Sequence, residues 1–329
     1  MATVKMFLET ESQHLLSRFA KRSGSATRIR DALSTAARLV GSRHIPYVAR
    51  ALDAYLHWNL MLDPNRRLQL DREGQVQWSH TTMARRQRIQ LGKWLQQGAN
   101  GTALSSVRFV TDLGAGDGKM SYRVIRALLG AQAALSRVVL IDRQHDALKA
   151  AAERVRTARS RAPVKLEYGD FRSIDLPVRN ASSRLTFASG SLHELPATEK
   201  LQLLVKVAYS SRFFILIELE ADHDHASSGS ASLIDRSARF YDALMADAFK
   251  SLSPQSLPTV VGVFLLDELL GIWLNTYSQR HNYHLGRNSW LDLIRQSNFK
   301  VLSVDELDFG NLRTLYILAE SLNAIVLPF

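Results

Sequence analysis

Asp112-Leu113-Gly114-Ala115-Gly116-Asp117-Gly118 follows an apolar run at residues 107–111 and precedes a helix-like run at residues 120–129. A strand, a glycine turn and a helix in that order form the local architecture that receives a nucleotide-like ligand. Gly114, Gly116 and Gly118 reach backbone angles closed to other residues and put no side chain in a ligand's way. Two carboxylates share the turn. Asp112 and Asp117 would repel a pyrophosphate and suit a ligand with a cationic end. The spacing also departs from the dinucleotide pattern G-x-G-x-x-G, whose third glycine would fall at Lys119. The phosphate-cradling loop fails as well, because no G-K-[ST] follows.

The order downstream strengthens the reading. A second strand is expected at residues 136–141 and ends in Asp142, placed to accept from ribose hydroxyls at the carboxyl end of a parallel strand. An ordinary helix N-cap is the competing role for that acid, since a helical pattern covers residues 146–157. A third strand at residues 164–168 leads to Gly169-Asp170-Phe171. Asp170 suits an adenine amino group and Phe171 a stacking face, against the plainer roles of turn and core packing. Strands are further expected at residues 184–188, 213–217, 300–304 and 312–318, the last two as an antiparallel pair. A helix at residues 196–207 opens on Pro196, where a missing N–H costs nothing.

Taken together, these segments resemble a class I S-adenosylmethionine-dependent methyltransferase over roughly residues 105–320. The glycine motif is residues 112–118, the ribose acid Asp142, the adenine acid Asp170, and the fourth-strand motif Ser191-Leu192-His193. Such a resemblance implies an α/β fold: a seven-stranded, mostly parallel Rossmann-like sheet with helices on both faces and an antiparallel final strand. It implies S-adenosyl-L-methionine as cofactor, whose amino group and sulfonium fit the acidic turn. Asp112, Gly114, Ala115, Gly116, Asp117, Gly118, Asp142, Asp170, Phe171 and Ser189 are then the cofactor residues. Many relatives carry an acid in the segment that here runs from Thr186 to Ser189, and this chain has none there.

With 329 residues, 46% of them hydrophobic, the chain can bury a sizeable core in one large or two smaller domains. No apolar run approaches the roughly 18 residues of a membrane span. No long apolar stretch near the start suggests a secretory signal, so a cytoplasmic enzyme is expected. Cysteine is absent, which excludes disulfides, Cys-ligated zinc and a cysteine nucleophile. Residues 1–100 hold 16 of the 42 Lys and Arg but only 7 of the 31 Asp and Glu. That excess would serve RNA, yet positives spread along helices are usually a solvated face.

Residues 1–100 read as a helical region, with helices near 5–21, 25–40, 47–61 and 82–97 and an extended piece at 68–78, acting as a cap or on the substrate side. Residues 101–329 read as the cofactor domain. It carries an insertion at about 221–299, where relatives build the substrate pocket, with helices at 233–252, 260–274 and 290–296.

Methyl transfer needs alignment with the donor and, for a protonated acceptor, a base. His193, at the carboxyl end of the fourth strand, is the first candidate; Glu194 is a candidate to orient it or to meet substrate, and His223 is an alternative base. Asp222, His223, Asp224 and His225 have the residue types of a metal site, but a solvated acidic loop is the simpler reading, and no metal is assigned. Glu218, Tyr277, His281, Tyr283 and His284 are candidates for the substrate side. The expected reaction is methylation of an oxygen or nitrogen of a small molecule. RNA methylation through the basic front region ranks second, and a non-catalytic cofactor-binding or partner subunit third. The oligomeric state is not legible in the sequence.

Overall fold

The computed structural model describes residues 45–48, 50–51, 64–97, 104–158, 160–221, 230–274 and 282–323. Sequence expectations for residues 5–21 and 25–40, and most of 47–61, lie outside these. The chain divides into two compact units. One comprises Met1–Arg85, Ala221–His284 and Gly310–Leu312; the other comprises Arg86–Glu220, Leu285–Phe309 and Arg313–Phe329.

The second unit carries the sheet. Its strands are β1 (Phe109–Leu113), β2 (Arg137–Asp142), β3 (Val164–Tyr168), β4 (Arg184–Ser189), β5 (Phe213–Glu220), β6 (Phe299–Phe309) and β7 (Leu312–Ser321). They lie in the order β3-β2-β1-β4-β5-β7-β6. The strands β1 to β5 run parallel, and β7 pairs antiparallel with β5 from Phe213↔Glu320 to Glu220↔Arg313. The order turns back between β1 and β4. Connections leave these two neighbours for opposite sides, which opens a crevice at their carboxyl ends.

Alternation of side chains gives the inner strands two buried faces, whereas the edge strands β3 and β6 are largely exposed or half-buried. Val110, Leu140 and Ile215 pack toward Trp94, Val124 and Leu148. Those come from α2 (Thr82–Gln97), α3 (Lys119–Gly130) and α4 (His145–Arg156). Leu113, Ile141 and Phe214 face the other way, into Leu204 of α5 (Ala197–Ser210) and Trp290 of α8 (Arg287–Gln296). Fully burying one such side chain contributes about 1.5–3 kcal/mol. Two-sided burial explains why the inner strands read as apolar runs. Three strands extend by three residues or more beyond expectation: β5 reaches Glu220, so Glu218 lies inside a strand, β6 reaches Phe309 and β7 reaches Ser321.

Most of the described residues of the first unit are helical. Residues 68–78 are not extended; they belong to α1 (Pro64–Trp78). The apparent alternation misleads because the buried positions Leu70 and Gly74 are four apart, on one helical face. Gly74 lets α1 approach an eight-residue π-helix, Pro258–Leu265; a Cβ there would lie 2.7 Å from Phe264 Cβ. The single helix expected at 260–274 is this π-helix followed by α7 (Leu266–Leu274). Acids of α6 (Ala231–Ser251) tie the unit together: Asp242 accepts from the Tyr47 and Val48 N–H groups at 2.7 and 2.9 Å, and Asp247 from Met83 N–H at 2.9 Å. Each satisfies an otherwise unpaired donor at a helix start. Among the described residues, no helix is long and apolar enough to cross a membrane.

Candidate functional site

The glycine turn after β1 uses its three glycines for different purposes. Gly114, at φ +80°, lies where a Cβ would come within 2.5 Å of Ser191 Cβ, so it admits the loop after β4. Ser191 Oγ closes that approach by donating to Leu113 O at 2.7 Å. Gly118, at φ +76°, caps α3 and lets α4 close in, with a Cβ only 2.6 Å from Ala151 Cα. Gly116, at φ +51°, meets nothing within 4 Å on its Cβ side. It is the glycine that leaves room for a ligand, and its N–H donates to Asp142 Oδ2 at 2.7 Å. Ala115 is buried, and its N–H donates to Ile141 O at 2.9 Å.

Asp112 is 1% exposed and accepts from Ser121 Oγ through Oδ2. Burial pushes its pKa up to about 8, against the Ser121 hydrogen bond and with help from the Asp142 charge. Its other oxygen, Oδ1, is buried without a hydrogen-bond partner. A native interior rarely leaves an acceptor so, and a cationic donor would satisfy it. Asp117 differs from its expected part. Lys119 Nζ lies 2.6 Å from its Oδ2, Lys119 N–H donates to Oδ1 at 3.2 Å, and Arg154 donates to its carbonyl at 3.0 Å. The turn is therefore less acidic than its sequence, with one carboxylate paired internally and the other holding its proton near neutrality.

Asp142 ends β2 and accepts from Gln144 N–H at 2.7 Å through the oxygen that Gly116 does not use. Asp170, after β3, is held by Arg172, whose Nε donates at 2.9 Å. Although burial opposes it, the Arg172 hydrogen bonds and charge, together with the Arg143 charge, hold Asp170 below the usual carboxylate range. Phe171 is 6% exposed and packs in the core, its ring 3.7 Å from where a Cβ at Gly114 would lie. Ser189 ends β4, opposite Ile217 of β5.

The turn after β4 carries His193. Its Nδ1 lies 3.0 Å from Glu218 Oε2, and Glu218 is 1% exposed. The other oxygen, Oε1, accepts from the backbone N–H groups of Ser191, Leu192 and His193 at 3.0, 2.8 and 3.3 Å. Both Glu218 oxygens are engaged inside the protein, and Glu218 is the acid beside the His193 ring, while Glu194 pairs with Arg143. The sequence reading ends the strand at residue 217; with Glu218 inside the strand, a buried acid must meet donors, and the neighbouring turn supplies them.

His223, Tyr277 and His281 lie outside the described residues. Tyr283 and His284 belong to the helical unit, where the His284 ring is buried 4.9 Å from that of Phe240.

No protein-family profile and no curated protein matches the sequence. Solved structures do resemble it. The chain is similar to SCL7 from Oryza sativa, at TM-score 0.51 and 12% identity over 90% of this chain and 88% of that one. The S-adenosylmethionine-dependent methyltransferase SibL, in its apo form, has TM-score 0.45 and 15% identity over 92% and 76%. EvdMO1 has TM-score 0.40 and 14% identity over 71% of this chain, which spans 41% of that protein. At such identities the likeness speaks for the fold alone. The strand order, with β7 inserted antiparallel between β5 and β6, agrees with it. The protein has a seven-stranded, mostly parallel Rossmann-like fold, the architecture that the sequence resemblance implied.

Proposed function

We propose that this protein binds S-adenosyl-L-methionine and transfers its methyl group to an oxygen or nitrogen of a small molecule. The observation that carries the reading is the unsatisfied Oδ1 of buried Asp112, which adjoins a glycine turn whose middle glycine opens onto free space. The residues fit the group. Asp112 would receive the α-ammonium, Asp142 the ribose hydroxyls, and Asp170 the adenine amino group. When bound, the cofactor supplies a methyl already activated by a sulfonium, which leaves as a neutral thioether.

The chain's own task is then alignment and proton removal. Glu218 holds Nδ1–H of His193, which places the basic lone pair on Nε2 and orients the ring. As the acceptor's lone pair forms the new bond to carbon, His193 takes the acceptor proton at Nε2. Glu218 stabilises the resulting imidazolium. A buried carboxylate anchored by backbone donors does this without rearranging. An acceptor that must lose a proton is therefore favoured, with oxygen ahead of nitrogen.

Calorimetry with S-adenosylmethionine and with its demethylated product tests the first half. A folded protein that binds neither would end the proposal. Transfer of labelled methyl to a panel of hydroxylated and amine acceptors tests the second half. RNA offered in the same assay at two salt concentrations separates the nucleic-acid alternative, whose signal should fall steeply with salt.

A further inference from the structure

The sheet separates charge between its two ends. Acids stand at the carboxyl ends of the strands, among them Asp117, Asp142, Asp170 and Glu194. The amino ends are the reverse. The segments that lead into β1 to β5, residues 104–108, 131–137, 160–163, 177–184 and 209–212, contain no Asp or Glu. Each carries arginine: Arg108, Arg137, Arg161, Arg179 with Arg184, and Arg212. Because β1 to β5 are parallel neighbours, these arginines follow one end of the sheet. Among the described residues, only Arg212 of this set has an acid partner, Glu320 at 2.8 Å.

Arg184 ties this end together. It is buried and donates to the carbonyls of Pro177, of Arg179 at 3.1 Å and of Ser210 at 2.9 Å. Burial, and then the Arg137 charge, push its pKa down, so positive charges at this end already act against one another. The same contacts fix three apolar side chains. Val178 lies between Pro177 and Arg179, and Tyr209 precedes Ser210. Leu322 follows Ser321, whose N–H donates to Arg212 O at 2.7 Å. Val178, Tyr209 and Leu322 are 50%, 53% and 49% exposed, three of the seven large apolar side chains left in water among the described residues. Mutually repelling cations beside exposed apolar groups mark a surface made for a partner that is both negative and apolar.

We propose that the amino end of the sheet docks on an anionic lipid bilayer. The arginines meet headgroup phosphates, while Val178, Tyr209 and Leu322 enter the headgroup boundary. An RNA backbone would satisfy the arginines but would give Val178 and Leu322 nothing to bury against. Stable peripheral binding takes two signals, and this end carries both a basic patch and apolar area. The crevice opens at the opposite ends of the strands, so docking and ligand binding do not compete. What the crevice binds has no bearing on this proposal.

The test sediments the full chain with vesicles of phosphatidylcholine alone, or of phosphatidylcholine with about one third phosphatidylserine. The protein should pellet with the second and not the first, and less as salt rises and screens the charges. Arg137→Gln and Arg179→Gln should each weaken partitioning about fivefold. Val178→Ser combined with Leu322→Ser should weaken it about tenfold through lost apolar burial. Melting temperatures should stay at the wild-type value, because all four side chains are exposed. Pelleting with neither vesicle, or equally with both, would overturn the proposal, as would arginine variants that pellet like wild type. Vesicle binding unchanged in the apolar double variant would also overturn it; labelled single-stranded RNA whose binding is lost in the arginine variants would then assign the face to nucleic acid.

Discussion

Asp112 makes the affinity for the cofactor depend on pH in a way few other sites would. Its carboxyl titrates at about 8 in the free protein, because burial penalises the charged form. A free α-amino group titrates at about 7.7–8.0. The complex, by contrast, holds one proton between the two groups, as an ammonium against a carboxylate. Below pH 8 both partners arrive protonated, so binding expels a proton and strengthens as pH rises. Above pH 8 both arrive deprotonated, so binding takes up a proton and weakens as pH rises further. Affinity should peak near pH 8, falling about threefold at pH 7 or pH 9 and about 25-fold at pH 6. Calorimetry in paired buffers of different ionisation heat should register release of about 0.8 proton at pH 7 and a similar uptake at pH 9. Asp112→Asn should cost about 1.5–3 kcal/mol of binding at pH 8, the range for a hydrogen bond to a charged group, and should abolish the acid limb. Wild-type affinity that stays flat from pH 6 to pH 8 would refute the reasoning, as would an acid limb that survives in Asp112→Asn. The same raised pKa works on the free protein. Between the unfolded value of 3.8 and about 8 the native state holds the proton more tightly, so this group's contribution to stability is lost as pH rises through that window.

Other expectations follow from the same contacts. His193→Ala should lower kcat about 100-fold with cofactor affinity unchanged; equal loss of both in a binding and turnover comparison would contradict a base. Glu218→Leu strands the N–H groups of Ser191, Leu192 and His193 and should lower stability by about 3 kcal/mol in urea denaturation, whereas Glu218→Gln should retain most stability and lose most turnover. Asp142→Ala should weaken cofactor binding by ~1–3 kcal/mol; an unchanged Kd in a folded variant would exclude it as the ribose ligand. The glycines should separate cleanly. Gly118→Ala meets Ala151 at 2.6 Å and should cost about 2–4 kcal/mol of stability, while Gly116→Ala, open on that side, should cost about 1 kcal/mol and act mainly on cofactor affinity. Melting curves with and without ligand distinguish the two.

Much of the fold was legible because the inner parallel strands, buried on both faces, have little choice of composition, and the edge strand β3 alternates in polarity. Residues 164–168 are β3 as expected, and the other strands differ only at their ends. Residues 68–78 read as extended because Leu68 and Leu70 mimic alternation, while the spacing that matters links Leu70 to Gly74. The π-helix at Pro258–Leu265 had no local signal beyond an apolar run after a proline. At the site, the positions along the chain were readable and the partners were not. Asp117 reads as part of an acidic turn until Lys119 and Arg154 are seen beside it.

The linear chain fixed what depends on near neighbours: a glycine turn between a strand and a helix, acids at the ends of β2 and β3, and a histidine after β4. Those features arise from backbone angles and periodicity, which act over a few residues. The fold alone decided which distant groups meet. Glu218 is 25 residues from His193 and shares a hydrogen bond with it; Arg143 is 51 residues from Glu194 and pairs with it. Burial likewise turned Asp112 from an ordinary acid into one that keeps its proton at neutral pH, because the cost of charge depends on the surroundings, which only packing supplies.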